Sequence, residues 1–223
     1  MKNYHIITFF ILFAAFSFKK MDMAKITSNL YMDKYEVTNA DWKSFEKHLI
    51  NEGENPEEYR KNDVWKWQPY IEHYYSNIAY EAYPVVGVTY RGAKKYCTWK
   101  GSQSETSGTF RLPTFAEIQY QIQEGEQGRK WEKWEKRARK WTQSLYNFSN
   151  EKIDHVVAPS KAYADNKFGV YNIKGNVSEM TEVEGQAAGG SWTNIEDDKD
   201  WATQTQTYDA PSDWLGFRCV CEL

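Results

Sequence analysis

"FGVYNIKGNVSEM", Phe168 to Met180, holds two glycines and two asparagines in thirteen residues. Such punctuation reads as short segments joined by a tight turn. Asn172 and Asn176 are residue types that satisfy turn backbone with their own side chains. "GGSWTN" (Gly189 to Asn194) and "GFRCV" (Gly216 to Val220) continue in the same short, punctuated style. The paired glycines at 189 and 190 let a strand pass close to other backbone.

Upstream the pattern is more regular. "YMDKYEVTNADWKSFEKHL" reads as a strand and then a helix capped by Thr38 or Asn39. Trp42, Phe45 and Leu49 share one face of that helix. "YPVVGVTY", Tyr83 to Tyr90, is a short apolar β run. It feeds a helix on which Ala93, Tyr96 and Cys97 lie together and which Gly101 ends. In "FRLPTFAEIQYQI" the Thr114-x-x-Glu117 spacing is a capping box opening a third helix. "GRKWEKWEKRARKW" places Trp131, Trp134, Ala138 and Trp141 on one helical stripe, with Lys and Arg on the other faces. That stripe is expected to pack on the domain and leave a solvated basic face; the competing reading is contact with a membrane surface, an acidic partner or nucleic acid. No internal repeat or linker divides the chain.

The 223 residues suffice for one domain with a core. A net charge of -3 does not advertise nucleic-acid binding. Aromatic residues are 17% of the chain and ten are tryptophan, which suits an irregular, loop-rich domain packed with flat side chains. Lys2 followed by the apolar run Ile6 to Phe16, then small residues around Ser17, reads as a signal peptide over 1–17 and a domain over 18–223. No cysteine follows the run, so a lipid anchor is not expected.

Three cysteines, Cys97, Cys219 and Cys221, leave at least one thiol over. An exported chain can keep a disulfide. Past the leader, His48, His73 and His155 show no metal-binding spacing. The paired carboxylates Asp197 and Asp198 lie in a polar loop and read as solvated. No nucleophile elbow or phosphate-binding glycine loop occurs.

Six pieces in order, "YEVTNADWKSF", "YPVVGVTYRGAKKYCTWKG", "RLPTFAEIQYQ", "FGVYNIKGNVSEM", "GGSW" and "GFRCV", resemble the formylglycine-generating-enzyme, or sulfatase-modifying factor, family. "AYEAYPVVGVTY" is further similar to a gliding-motility subgroup from Bacteroidetes. The resemblance spans Tyr31 to Cys221. It implies a single α/β (α+β) domain of an irregular, C-type-lectin-like kind with short strands and long loops. Its enzymes use copper and oxygen to turn a sulfatase cysteine into formylglycine, and two cysteine thiolates hold the Cu(I). In this chain those two positions are Asn194 and Lys199, and an ammonium repels a cation. The family's "GN-x-W-E-W" here reads "GNVSEM", with Ser178 and Met180 at the tryptophan positions. Of that pocket only Ser191 is kept.

The same resemblance implies a Ca²⁺ held by Asn172, Gly175, Val177 and Glu179, the middle two through backbone carbonyls. A second Ca²⁺ site would draw on a stretch shortened here, around Asn147 and Asp154. It pairs Cys97 with Cys219; Cys221, two residues on, leaves a swapped pairing open. No copper is expected. The chain is thus read as a pseudoenzyme: a Ca²⁺-stabilised binding or scaffold module, exported to the periplasm or cell surface. Ser178, Ser191, Trp192 and Asn194 would floor its groove. Its partner would be an envelope or secreted protein, not nucleic acid. The alternative is an oxidoreductase, formylglycine-generating-like or non-haem iron, with divergent residues. It would gain from two histidines meeting beside a carboxylate.

Overall fold

A computed structural model describes residues 22–61, 73–125, 157–162, 165–193 and 201–223. The expected leader, the Trp/basic stripe, Asn147, Asp154, His155, Asn194, Asp197, Asp198 and Lys199 lie outside the described residues. Among the described residues, two small sheets and three α-helices carry the architecture. The first sheet holds β1 (Met23–Lys25), β2 (Leu30–Asp33), β3 (Thr109–Arg111) and β8 (Val220–Glu222), ordered β1-β2-β8-β3 and antiparallel throughout. The second holds β4 (Ser178–Met180), β5 (Gln186–Ala188), β6 (Gln206–Thr207) and β7 (Leu215–Gly216), ordered β6-β5-β4-β7 with β4 and β7 parallel. This is the mixed α/β single domain that the sequence implies.

Helix α1 (Asn39–Asn51) begins at Thr38, whose side chain accepts from the Asp41 N–H while Asp41 returns the bond to the Thr38 backbone. Its Trp42, Phe45 and Leu49 are fully buried. Helix α2 (Tyr90–Ser102) is capped by Thr89 and buries Ala93, Tyr96 and Cys97. Gly101 does not end it. That glycine lies inside the last turn, where an added Cβ would fall 2.8 Å from the Phe110 ring. Helix α3 (Phe115–Gly125) opens on the expected capping box: Glu117 N–H donates to Thr114 Oγ1 at 3.0 Å, and Thr114 N–H donates to Glu117 at 2.8 Å. Stacked and edge-on rings of Trp42, Phe45, Tyr96 and Phe217 fill the space between α1, α2 and the end of the chain.

The expected β run at 83–90 is extended but joins neither sheet. Val85 N–H goes to Val37, Gly87 N–H to Ser212 and Thr89 N–H to Tyr59, three different partners. Gly87 has φ 74, which breaks a regular strand at its centre. Cys97 and Cys219 form the disulfide, with Cα atoms 5.6 Å apart, and tie α2 to the approach to β8. Cys221, two residues on and within β8, is free and buried beside Phe110 and Tyr31. Among the described residues no helix is long and apolar enough to cross a membrane.

Candidate functional site

The 168–180 segment forms a loop that doubles back on itself. Asn172 (φ 50), Gly175 (φ 85) and Asn176 (φ 63) all adopt the left-handed region within five residues. Only glycine does so freely, and asparagine is among the side chains that tolerate it best. What holds the loop is a buried carboxylate. Glu36, at the start of the α1 entry turn, accepts from Asn172 Nδ2 at 3.2 Å and from Asn176 Nδ2 at 2.9 Å, one amide on each oxygen. The two amides also donate to the carbonyls of Pro159 and Ala158.

Beneath this pair lies Arg218, which has no exposed surface. Its Nε donates to both Glu179 oxygens at 2.8 Å, and its other nitrogens reach the carbonyls of Asp33 and Tyr171. Burial pushes the Glu36 carboxyl up to about 7, and Glu179 adds to that while Arg218 opposes it. Burial likewise raises Glu179, against the pull of Arg218. Two carboxylates therefore share one guanidinium. Asp33, also buried, is answered separately by Lys100. With both glutamates ionised, the cluster carries surplus negative charge in a low-dielectric interior.

That surplus is the test of the expected cation. Asn172, Gly175 and Val177 sit on one loop, and Glu179 is central in the strand that follows. Amide, carbonyl and carboxylate oxygens are what Ca²⁺ takes. A carboxylate paired along one edge with a guanidinium retains acceptor capacity. The residues fit a hard cation in donor type and in charge.

The groove residues separate. Ser191 is 3% exposed, and its hydroxyl meets Thr193 Oγ1 at 2.7 Å. Trp192 is half-buried; its N–H donates to the Asn176 carbonyl at 2.8 Å and its indole N–H to Asp213 at 3.3 Å. Gly175 N–H likewise donates to Gly189, whose φ of 87 admits no Cβ without crowding the Ile173 carbonyl. Ser178 is the most enclosed of the set. It lies in β4, flanked by β5 and β7, and has no exposed surface; its hydroxyl donates to Gln206 Oε1. All three residues of β4 are buried, so Ser178 presents no surface to a partner.

His48 stacks on Trp99 with ring centroids 5.9 Å apart, and His73 is exposed on a turn. Among the described residues, no group of three His, Cys, Asp or Glu is arranged to hold a metal ion. The calcium set has only one carboxylate and is not of that kind. Sequence reasoning passed over Glu36 and Arg218. Arg218 is a single charge within the apolar stretch "GFRCV", and that isolation was the available signal; Glu36 follows Asp33 and Lys34 closely and carried none.

A family model for the sulfatase-modifying factor enzyme 1-like domain matches residues 18–223. The chain belongs to that family. Within it, the domain is 31% identical over 159 residues to the inactive C-alpha-formylglycine-generating enzyme 2 of Bos taurus, covering 62% of this chain and 50% of that protein. It is 29% identical over 190 residues to the formylglycine-generating enzyme of Mus musculus, covering 68% and 48%. This sulfatase-modifying-factor domain thus spans about half the length of the curated relatives it matches. Its fold is similar to the crystal structure of CarF (TM-score 0.56, 17% identity, 87% of this chain and 86% of that one). It is also similar to PvdO from Pseudomonas aeruginosa (TM-score 0.54, 17% identity, 87% and 80%). Relatives named as active and as inactive enzymes both match, so membership alone does not decide catalysis.

Proposed function

We propose that this domain is an exported, non-catalytic member of its family, a Ca²⁺-stabilised binding or scaffold module of the cell envelope. The observation that carries this reading is the state of Ser178. Where the resembling enzymes line an oxygen pocket with tryptophan, this chain has a serine sealed under Gln206, beside a fully buried Met180. Asn194 and Lys199 stand in sequence where the copper thiolates would be. The match to a relative named inactive is in keeping with this. Half-buried Trp192 and exposed Thr193 then offer the surface for an envelope or secreted protein. Asn172, Gly175, Val177 and Glu179 would hold the calcium, which supplies charge and rigidity to the loop whose Asn176 carbonyl anchors the Trp192 N–H.

A metal inventory of the purified protein tests both halves. Calcium near one per chain is expected, with a melting temperature that falls in EDTA and is restored by Ca²⁺. Stoichiometric copper or iron overturns the non-catalytic reading. An unchanged melting temperature in EDTA removes the calcium.

A further inference from the structure

The calcium set named above leaves one buried carboxylate of the cluster, Glu36, without a role. Glu36 is 1% exposed and comes from a different part of the chain, before α1. Its two oxygens each take one amide N–H₂, from Asn172 and Asn176. An amide is planar, so fixing its nitrogen end fixes the direction of its oxygen end. Asn176 Oδ1 accordingly accepts from the Ala158 N–H at 2.8 Å, which pins the same loop to the 157–162 segment. Arg218 is committed bidentately to Glu179, so the charge of Glu36 is the surplus that a cation would neutralise.

We propose that Glu36 is a positioning residue of the cation site: it orients the Asn172 amide towards the ion and supplies the uncompensated charge that draws it in. This rests on the calcium reading above. Outer partners that orient metal ligands typically change affinity by ten- to a hundredfold when removed. Glu36 touches no ligand other than Asn172 among the described contacts, so its effect is through that amide and through charge.

The test is calcium titration of the full chain by calorimetry, with Ca²⁺ alone as probe, alongside melting in EDTA. Glu36→Gln keeps the shape but loses the charge and turns an N–H₂ towards one of the two amides. Calcium affinity is expected to fall at least tenfold in this variant, more than its metal-free melting temperature accounts for. Glu36→Asp keeps the charge but withdraws it by one methylene from both amides; should Glu36→Gln not fold, this variant carries the test, again with at least a tenfold loss. Affinity within twofold of wild type in either folded variant overturns the proposal. If wild type itself takes up no calcium, the calcium reading falls, and this inference falls with it for that separate reason.

Discussion

Arg218 and Glu179 form an ion pair with essentially no solvent contact, 2.6 Å apart at closest approach, between β4 and the segment that joins β7 to β8. Breaking such a pair leaves an unpartnered charge in the interior, which costs about 3–5 kcal/mol. Glu179→Gln and Arg218→Met are each expected to destabilise by that order in urea denaturation. The double variant should lose less than the sum of the two, because neither orphan charge then remains. Strict additivity would mean that the pair is not coupled.

The disulfide gives a second expectation. Cys97 and Cys219 are 122 residues apart in sequence, and closing a loop of that length is worth about 4–5 kcal/mol in the chain-entropy model. A Cys97→Ala, Cys219→Ala variant should lose that much on denaturation. Burial pushes the remaining Cys221 thiol up, so a thiol reagent should modify it slowly in the folded protein and fast in denaturant. Rapid labelling of the native chain would show that β8 opens.

Glu36 makes the metal-free protein sensitive to pH. Its carboxyl sits at about 7 in the fold against 4.5 ordinarily, chiefly because burial disfavours the charge. Below pH 4.5 it is protonated in folded and unfolded chains alike. Between 4.5 and 7 only the unfolded chain releases the proton, so stability falls as pH rises through that window and then levels. The whole change is on the order of 3 kcal/mol. Denaturation in EDTA at several pH values should show this decline, and Glu36→Gln should flatten it. An equal decline in the variant would assign it to other groups.

Much of the fold was legible because its signals are local. The α1 and α3 caps need only a hydroxyl and a carboxylate three residues apart, and the buried stripe of α1 needs only helical spacing. Tyr83 to Tyr90 misled because an apolar run says nothing about how many partners will share its hydrogen bonds. Gly87 was the clue against a strand. Ser178 was placed through a family motif, whereas its burial is set by the nearby β5 and by β7 and Gln206 further along the chain. Glu36 meets Asn176 only across 140 positions, and no local pattern encodes that meeting.

Strand β8 lies between β2 and β3, although it follows both by a long stretch of chain. As the polypeptide is synthesised, β2 and β3 emerge early and each must wait with an unpaired edge until residues 220–222 appear. Sheet closure is therefore a late, long-range event, slow by its topology. During that interval the nascent chain offers open strands to whatever meets it first, so its yield depends on being kept apart from other copies until β8 arrives.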